Sequence, residues 1–411
     1  MIDSGRLYEN LHQKGIRFFS GVPDSLMKDF LQYLQEHAVP GEHIITANEG
    51  LAIALASGYH FRTGRIPLVY LQNSGLGNII NPLSSLADPE MYAVPMLLLI
   101  GWRGMSGKKD EPQHQKMGRI TIPMLEAMEV PYYLLSDQEE ELFDTIQTAI
   151  TKAADCSCPV ALLVPGNIFT PYTALNAEKD FFSLGREEVI REIINRFSGT
   201  EKLICTTGKT GREFYELNKE AGNKFTNYLL CAGAMGHAGH IALGVSADHT
   251  STILLDGDGA LLMHLGGLTT IAPFAAGDFF HIVLNNGQHE SVGGQPTAGF
   301  SADLCGLAAA AGYSNTVLIQ TDEELKQWLA TAPSQKGLHF VEIRIKQGSR
   351  QNLGRPAGVP MEWKNDFMNA IQKNLIEYST TIEGRGEFVP NQFLYSGQGR
   401  KKNIPDQRES L

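Results

Sequence analysis

Short apolar runs alternate along the chain with longer stretches that carry apolar residues at helical spacing. A short apolar run bounded by turn residues predicts a buried strand, and apolar residues three and four positions apart predict a helix that packs on a sheet. In the first half of the chain, the predicted strands are residues 16–20, 43–47, 67–72, 95–100, 131–135 and 159–164. Their alternation with helices favours a parallel sheet covered on both faces.

One segment of the first half does not fit this alternation. Residues 102–119 are polar and basic, and they predict a long loop that directly follows a buried strand. We expect the helical pattern to resume at residues 120–128.

The alternation stops at residues 167–184 and then begins again. The strands predicted for the second half are residues 202–205, 226–230, 252–255, 279–284, 315–319 and 338–345. We therefore predict an α/β protein with two doubly wound parallel-sheet domains, residues 1–170 and 186–373, and no central domain. Residues 171–185 are the predicted linker. Residues 374–411 are polar and glycine-rich, and they predict a disordered tail.

The composition argues against several classes of protein. A net charge of −11 gives no electrostatic support for binding nucleic acid. The longest apolar runs are too short to span a bilayer, and residues 1–10 lack the apolar segment of a signal peptide. The five cysteines include no Cys-x-x-Cys pair, so they indicate neither a disulfide framework nor a zinc site. We expect a protein of the reducing cytoplasm, without nucleic-acid or membrane partners.

Two glycine-flanked loops follow neighbouring predicted strands in the second half. Gly257-Asp258-Gly259 follows one strand, and Asn285-Asn286-Gly287 follows the next. A helical stretch joins these strands, so both loops leave the same edge of a parallel sheet, where such sheets bind ligands.

The residue types in these loops suit a magnesium diphosphate. Asp258 and Asn286 offer hard oxygen ligands, and Gly257 and Gly259 leave no side chain between the backbone and a phosphate. We predict that Asp258, Asn286 and the backbone carbonyl of Gln288 bind Mg²⁺. The alternative is a pair of ordinary loops in a doubly wound sheet.

Another glycine-containing loop follows the strand at residues 202–205. Thr207-Gly208-Lys209-Thr210 is not a nucleotide P-loop, because Leu203 stands where that motif needs glycine. Thr207 and Gly208 could still contact a phosphate through backbone N–H groups. An ordinary turn remains the alternative.

Further motifs occur in order along residues 1–370. They include GVPDS (21–25), ANEGLAIALASGY (47–59), QNSGLGNIINPL (72–83), GAMGHA (233–238) and NNGQHESVGGQPT (285–297). With the two loops described above, they resemble the thiamine-diphosphate-dependent 2-oxoacid decarboxylases, and more narrowly the phosphonopyruvate decarboxylase family. The resemblance implies the thiamine-diphosphate-binding fold, with the cofactor's pyrimidine bound by the first half and its diphosphate, with Mg²⁺, by the second.

The same resemblance implies an activity and an assembly. The activity is decarboxylation of a small 2-oxoacid, 3-phosphonopyruvate, to phosphonoacetaldehyde and CO₂. The alternatives are decarboxylation of 3-sulfopyruvate by the same chemistry, a carboligase, or a non-catalytic paralogue. Family sites form between the pyrimidine half of one subunit and the diphosphate half of another, which implies a homodimer or a larger homo-oligomer.

Several residues match positions that bind the cofactor in this family. Glu49 matches the activating glutamate, whose carboxyl group hydrogen-bonds the pyrimidine ring so that the 4′-amino group can act as a base. Met235 falls where the family places a bulky apolar residue that holds the cofactor bent, and Gly233 belongs to the same loop. From the sequence alone, Glu49 could also be a first-turn acid favoured by the helix dipole.

Other residues are candidates for binding the substrate. Ser25 matches a loop position that contacts substrate in related decarboxylases. Arg103, Lys108 and Lys109 belong to the densest basic cluster before the tail, which suits a phosphonate dianion. A solvated surface loop is the alternative for these cations.

The chain departs from the wider family at one position. Many thiamine decarboxylases carry a histidine just before the glycine-rich turn of the first half, where this chain has Tyr70-Leu71-Gln72-Asn73. We expect His114, His289 or water to transfer the proton instead. His289 also follows the metal loop closely enough to face the thiazolium ring.

Overall fold

The computed structural model describes residues 1–166, 168–173, 181–246 and 250–382. Residues Met1–Phe367 form one compact unit that contains two six-stranded parallel sheets. This architecture confirms the predicted α/β class and the two sheets. The strands of the first sheet are β1 (Phe19–Gly21), β2 (His43–Ile45), β3 (Leu68–Gln72), β4 (Met96–Gly101), β5 (Tyr132–Leu134) and β6 (Pro159–Val164).

Helices connect the strands of the first half and cover both faces of its sheet. In β3, Leu68 and Tyr70 join the core on one face, and Val69 and Leu71 join the core on the other. This alternation follows from the two-residue period of a strand. The helices of the first half are α1 (Ser4–Gln13), α2 (Lys28–His37), α3 (Glu49–Thr63), α4 (Leu76–Pro82), α5 (Pro112–Ala127) and α6 (Glu139–Cys156).

The second half repeats this construction around its own core. Its strands are β7 (Lys202–Cys205), β8 (Tyr228–Leu230), β9 (Thr252–Gly257), β10 (Phe279–Asn285), β11 (Asn315–Ile319) and β12 (Leu338–Arg344). Its helices are α7 (Arg186–Arg196), α8 (Lys209–Glu220), α9 (Ala238–Val245), α10 (Asp258–Met263), α11 (Leu268–Phe274), α12 (Leu304–Ala311), α13 (Asp322–Thr331) and α14 (Pro360–Ile382).

The two sheets have the same strand order. The first runs β2-β1-β3-β4-β6-β5, and the second runs β11-β12-β10-β9-β7-β8. Subtracting six from each number of the second sheet and reading from the other end gives the order of the first. In both sheets the direction of winding reverses between the first and third strands, which is where doubly wound sheets bind ligands.

The prediction of a loop over residues 102–119 is wrong for its second part, because α5 begins at Pro112. The first turns of α5 carry no apolar stripe. Instead Gly118 lies against the backbone of Gly104, where a Cβ on Gly118 would overlap the Gly104 carbonyl. Backbone contact of this kind leaves no hydrophobic pattern in the sequence, so the helix was not detected.

Two other boundaries differ from those predicted. The helix expected after Gly259 divides at His264 into α10, a 3₁₀ turn and α11. Helix α14 continues to Ile382, so residues 374–382 of the predicted tail are helical, and residues 383–411 lie outside the described residues. Residues 171–173 and 181–185 of the predicted linker contain no helix or strand, and residues 174–180 are not described.

In the described parts of the chain, no helix has the length and apolar character needed to cross a membrane. All five cysteines are free thiols.

Candidate active site

Asp258 and Asn286 lie side by side at the ends of neighbouring strands. β9 ends at Gly257 and β10 at Asn285, and the parallel register pairs Gly257 with Leu284. The backbone N–H of Asn286 donates to the Asp258 carboxylate, as does the hydroxyl of Thr297. The two glycine-flanked loops therefore meet at one point on the carboxyl edge of the second sheet.

The Asp258 carboxylate is 2% exposed, and its burial raises its pKa to about 6. A buried carboxylate with few charged neighbours is stabilised by a bound cation, which offsets the loss of hydration. The space beside it is open, since a Cβ added to Gly257 would meet no atom within 4 Å. The loop can thus admit a ligand next to Asp258.

The donors at this point fit magnesium better than zinc. Among the described residues, no group of three or more His, Cys, Asp or Glu side chains could hold a metal ion. An ion here would rely on Asp258, the amide oxygen of Asn286, a backbone carbonyl and oxygens of a ligand. Such an all-oxygen set, completed by phosphate, is typical of Mg²⁺.

The two consecutive asparagines have different roles. Asn285 braces the loop, because its side-chain amide donates to the Gly299 carbonyl at 2.8 Å and to Glu342 at 2.9 Å. The Asn286 side chain donates to Glu290 at 2.8 Å and accepts from the Gln288 N–H at 3.1 Å. Asn286 therefore turns its carboxamide toward the loop that follows it, and Gln288 contributes its backbone to the same turn.

Thr207 and Gly208 lie in the loop between β7 and α8. Gly208 has a φ of 101°, which favours glycine, and a Cβ there would lie 3.2 Å from the Ser291 hydroxyl. The Thr207 hydroxyl donates to the Ala232 carbonyl at 3.2 Å. The loops that follow β7, β8 and β10 therefore meet, as a diphosphate cradle requires.

Met235 and His289 approach Gly259 from two other loops. A Cβ on Gly259 would lie 3.1 Å from the His289 ring and 3.4 Å from the terminal methyl of Met235. Burial lowers the pKa of His289 to about 4, so the ring is neutral at physiological pH. Gly233, in the same loop as Met235, lies beside the Gln113 side chain of the first half.

Glu49 is buried at the start of α3, with 5% of its surface exposed. Asn48 caps the helix by accepting from the Gly50 N–H at 2.8 Å, which directs Glu49 inward. Oε2 of Glu49 accepts from the Asn78 amide at 2.7 Å, and its other oxygen lies so close to Gly75 that a Cβ there would overlap it. Burial raises the pKa of Glu49, which favours the protonated form that a ring nitrogen would accept from.

Ser25 and Arg103 lie together at the carboxyl edge of the first sheet. Nη1 of Arg103 donates to the Ser25 hydroxyl at 2.7 Å. The rest of the guanidinium binds Asp110, with Nε at 2.8 Å from Oδ2 and Nη2 at 2.5 Å from Oδ1. The two predicted substrate residues are thus neighbours, and Asp110 occupies the forked end of Arg103.

His114 lies on α5 next to this pair, and burial together with the Arg103 charge lowers its pKa. Its Nδ1 is buried and has no hydrogen-bond partner within the described parts of the chain. Lys108 donates to the Pro165 carbonyl at 2.5 Å, and Lys109 is exposed. Residues 104–110 with Gln115 and Arg119 line an open groove of about 270 Å³.

Three polar residues of this region were not selected from the sequence. Asp24 is fully buried within the GVPDS motif, and its burial raises its pKa while Gln72 donates to it at 2.7 Å. Gln295 is 1% exposed, and neither polar atom of its carboxamide has a partner among the residues that the structure describes. Asp24 could have been found as an acid near a strand end, and Gln295 lies in the motif at residues 285–297, but the sequence does not show that Gln295 is buried or that Asp110 pairs with Arg103.

The two halves of the chain meet through loops that carry these candidates. Gly233 lies beside Gln113, and Gly293 lies beside the stem of Lys28 at the start of α2. Glu111, next to Asp110, forms an ion pair with Arg355 of the second half.

Comparison with known proteins identifies both halves. Residues 4–122 match the model of the thiamine pyrophosphate enzyme N-terminal TPP binding domain, and residues 206–343 match that of the C-terminal TPP binding domain. The chain is 32% identical to a phosphonopyruvate decarboxylase of Streptomyces viridochromogenes, over 89% of this chain and 94% of the relative.

Two further relatives span nearly the same length. A phosphonopyruvate decarboxylase of Streptomyces hygroscopicus is 32% identical over 89% of this chain and 93% of its own. A sulfopyruvate decarboxylase of Methanosarcina acetivorans is 26% identical over 84% of this chain and 91% of its own.

Proposed function

This chain belongs to the thiamine pyrophosphate enzymes, in the family of the phosphonopyruvate decarboxylases, and we propose that it converts 3-phosphonopyruvate to phosphonoacetaldehyde and CO₂. The observation that carries this proposal is the pairing of a buried Asp258–Asn286 metal loop in one half with a buried Glu49 in the other. Each pattern alone has an ordinary structural explanation, whereas their combination matches the needs of one cofactor.

The cofactor, when bound, supplies an electron sink for the electron pair left by the departing CO₂. Asp258 and Asn286 would hold its metal, the loops at Thr207 and Gly208 its diphosphate, and Met235 its bend. Glu49 would donate a hydrogen bond to the pyrimidine, since its raised pKa favours the protonated carboxyl. His289 and His114 would be the groups that move a proton, which the lowered pKa of each ring supports.

The substrate would bind at the edge of the first sheet. Phosphonopyruvate carries a phosphonate of charge near −2, which needs fixed positive charge or a dense set of hydrogen-bond donors. Ser25, Arg103, Lys108 and Lys109 provide both kinds of group beside the groove. Asp110 offsets the charge of Arg103, so Lys108 and Lys109 matter for the net charge that the substrate meets.

We also propose a homodimer or larger homo-oligomer whose sites form between subunits. Several large apolar side chains of the first half are exposed, among them Leu51 at 57%, Phe61 at 56% and Tyr92 at 62%. Leu51 and Phe61 share the outer face of α3, the helix that begins at Glu49. Burial of such a face by a second copy would place an interface next to a catalytic residue.

One assay tests the proposed substrate. Decarboxylation of phosphonopyruvate, sulfopyruvate and pyruvate would be compared at equal concentration with saturating thiamine diphosphate and Mg²⁺. We expect the highest kcat/KM for phosphonopyruvate, with Asp258→Ala as the inactive control. A higher kcat/KM for sulfopyruvate would favour the alternative function, decarboxylation of sulfopyruvate. The 26% identity to a sulfopyruvate decarboxylase is the observation that supports this alternative. Absence of turnover with all three, in protein that binds the cofactor, would contradict the proposal.

A further inference from the structure

The Glu290 carboxylate receives hydrogen bonds from three different segments of the second half. Arg186, the first residue of α7, donates at 2.8 Å, and Lys209, the first residue of α8, donates at 2.7 Å. The third donor is the side-chain amide of Asn286 at 2.8 Å. No sequence motif links these residues, and Arg186 stands 104 positions before Glu290.

The charges in this cluster balance. Arg186 also binds Glu213 with two hydrogen bonds, of 2.7 and 2.9 Å, and both residues are buried. Two cations therefore face two carboxylates. Both oxygens of Glu290 accept hydrogen bonds from these cations, Oε1 from Lys209 at 2.7 Å and Oε2 from Arg186 at 2.8 Å. Glu290 is thus a carboxylate, which can only accept hydrogen bonds.

This has a direct consequence for Asn286. Because the Glu290 carboxylate can only accept, the amide nitrogen of Asn286 must face Glu290. The amide oxygen of Asn286 must therefore point away from Glu290. That oxygen accepts one hydrogen bond, from the Gln288 N–H at 3.1 Å, and keeps a second lone pair. The reversed amide would present N–H groups to a cation and could not ligate it.

We propose that Glu290 is a positioning residue for the metal, which fixes the carboxamide of Asn286 so that its oxygen faces the ion. The proposal rests on the proposed function, since it takes the Asp258–Asn286 loop as the Mg²⁺ site. In this role Glu290 would act on the metal only through Asn286, and its contacts link the metal loop to the first turns of α7 and α8. Partners that orient a metal ligand typically contribute 10- to 100-fold to metal affinity.

The test is the affinity of the protein for Mn²⁺, a paramagnetic substitute for Mg²⁺, measured by electron paramagnetic resonance with thiamine diphosphate present. Glu290→Gln keeps the size of the side chain, but a glutamine amide can both donate and accept. Either the nitrogen or the oxygen of the Asn286 amide can then face residue 290. We expect Mn²⁺ binding to weaken by about 10-fold or more. Glu290→Asp, which keeps the charge, should recover part of the affinity.

Glu213→Gln is the matched control. It removes the other carboxylate from Arg186 and leaves the contact between Glu290 and Asn286 in place. We expect its Mn²⁺ affinity to stay within about threefold of the wild type, even if the melting temperature falls. Wild-type affinity in Glu290→Gln would overturn the proposal. Equal losses of affinity in the Glu290→Gln and Glu213→Gln variants would also overturn it, because Glu290 would then act only through the fold.

The Mn²⁺ measurements test the role of Glu290 independently of the substrate assay that tests the proposed function. If the wild-type protein binds Mn²⁺ and thiamine diphosphate but decarboxylates none of the three 2-oxoacids, the function fails and the role of Glu290 stands. If it decarboxylates phosphonopyruvate and Glu290→Gln binds Mn²⁺ normally, the function stands and the role of Glu290 fails.

Discussion

Arg103 forms a bidentate ion pair with Asp110 through Nε and Nη2, while Nη1 donates to the Ser25 hydroxyl at 2.7 Å. The carboxylate of Asp110 also accepts from the backbone N–H groups of Gly104 and Glu111, both at 2.8 Å. Asp110 therefore holds the segment that carries the basic residues and competes with any anion for the fork of Arg103.

We expect Arg103→Ala to lower kcat/KM for phosphonopyruvate more than tenfold, or roughly 1.4 kcal/mol, with a much smaller effect on slow pyruvate turnover. The reason is that pyruvate has no phosphonate for Arg103 to bind. Steady-state kinetics with both substrates would measure the difference. Equal losses on the two would assign Arg103 to the fold or the cofactor.

Asp110→Asn gives the complementary prediction. The two backbone N–H groups donate to different oxygens of Asp110, so the amide oxygen of asparagine can accept from one of them only, and the side chain no longer cancels the charge of Arg103. We expect KM for phosphonopyruvate to fall about two- to fivefold, since one fewer carboxylate opposes the substrate. KM for pyruvate should change little. A rise in KM specific to phosphonopyruvate would mean that Asp110 is needed to orient Arg103.

Glu49→Gln should retain the cofactor and lose turnover. The amide preserves the shape of the side chain and can still meet Asn78, but it cannot supply a carboxyl proton. We expect kcat to fall about 100-fold or more, with thiamine diphosphate affinity within a few-fold of the wild type. Calorimetric titration of the cofactor and kcat measurements would check this, with the exposed acid variant Glu90→Gln as control. Near-normal kcat in Glu49→Gln would remove Glu49 from the mechanism.

Mixing two inactive variants would locate the site relative to the subunits. Glu49→Gln damages the first half and Asp258→Ala the second. If sites form between subunits, a mixed dimer has one doubly damaged site and one intact site, so activity should appear when the two proteins are denatured and refolded together. If each site lies within one chain, the mixture stays inactive. Co-refolded Glu49→Gln alone is the control.

Stability should depend on pH through His43. Burial lowers the pKa of His43 to about 4, and its Nε2 lies 2.8 Å from the Tyr70 hydroxyl. The unfolded chain takes up this proton near pH 6.5, so the contribution to stability is complete above that pH and is lost as pH falls toward 4. It amounts to at most about 3 kcal/mol. Guanidinium unfolding at pH 7.5 and 5 should show a smaller difference in His43→Gln than in the wild type, and an equal difference would refute this assignment.

Much of the fold was predictable because each half builds its own sheet from strands and helices that alternate along the sequence. The strands carry continuous apolar runs, and nearly all of them lie where the pattern indicated. The start of α5 was not predictable, since that helix is held by close backbone contact between Gly118 and Gly104. The end of α14 was placed too early because the polar, glycine-rich segment that begins after Ile382 was taken to start at residue 374.

The candidate site also has parts that the sequence predicts and parts that it does not. Asp258, Asn286 and Glu49 follow strands or begin helices, so their positions in the motifs predict where they lie. Side-chain partners of these residues come from other segments: Asn78 reaches Glu49 across 29 residues, and Thr297 reaches Asp258 across 39. Pairings of that range depend on the completed sheets, and a single sequence contains no signal for them.

The separate completion of the two sheets bears on biosynthesis. Every strand of the first sheet lies within residues 19–164, and every strand of the second within residues 202–344. Among the described strands, none is exchanged between the two sheets, so the first half can form its core while the ribosome is still producing the second. The first sheet therefore does not wait for a strand from the second half, which lowers the risk of aggregation at that stage. Only the cofactor requires both halves, and it can therefore be the last component to join.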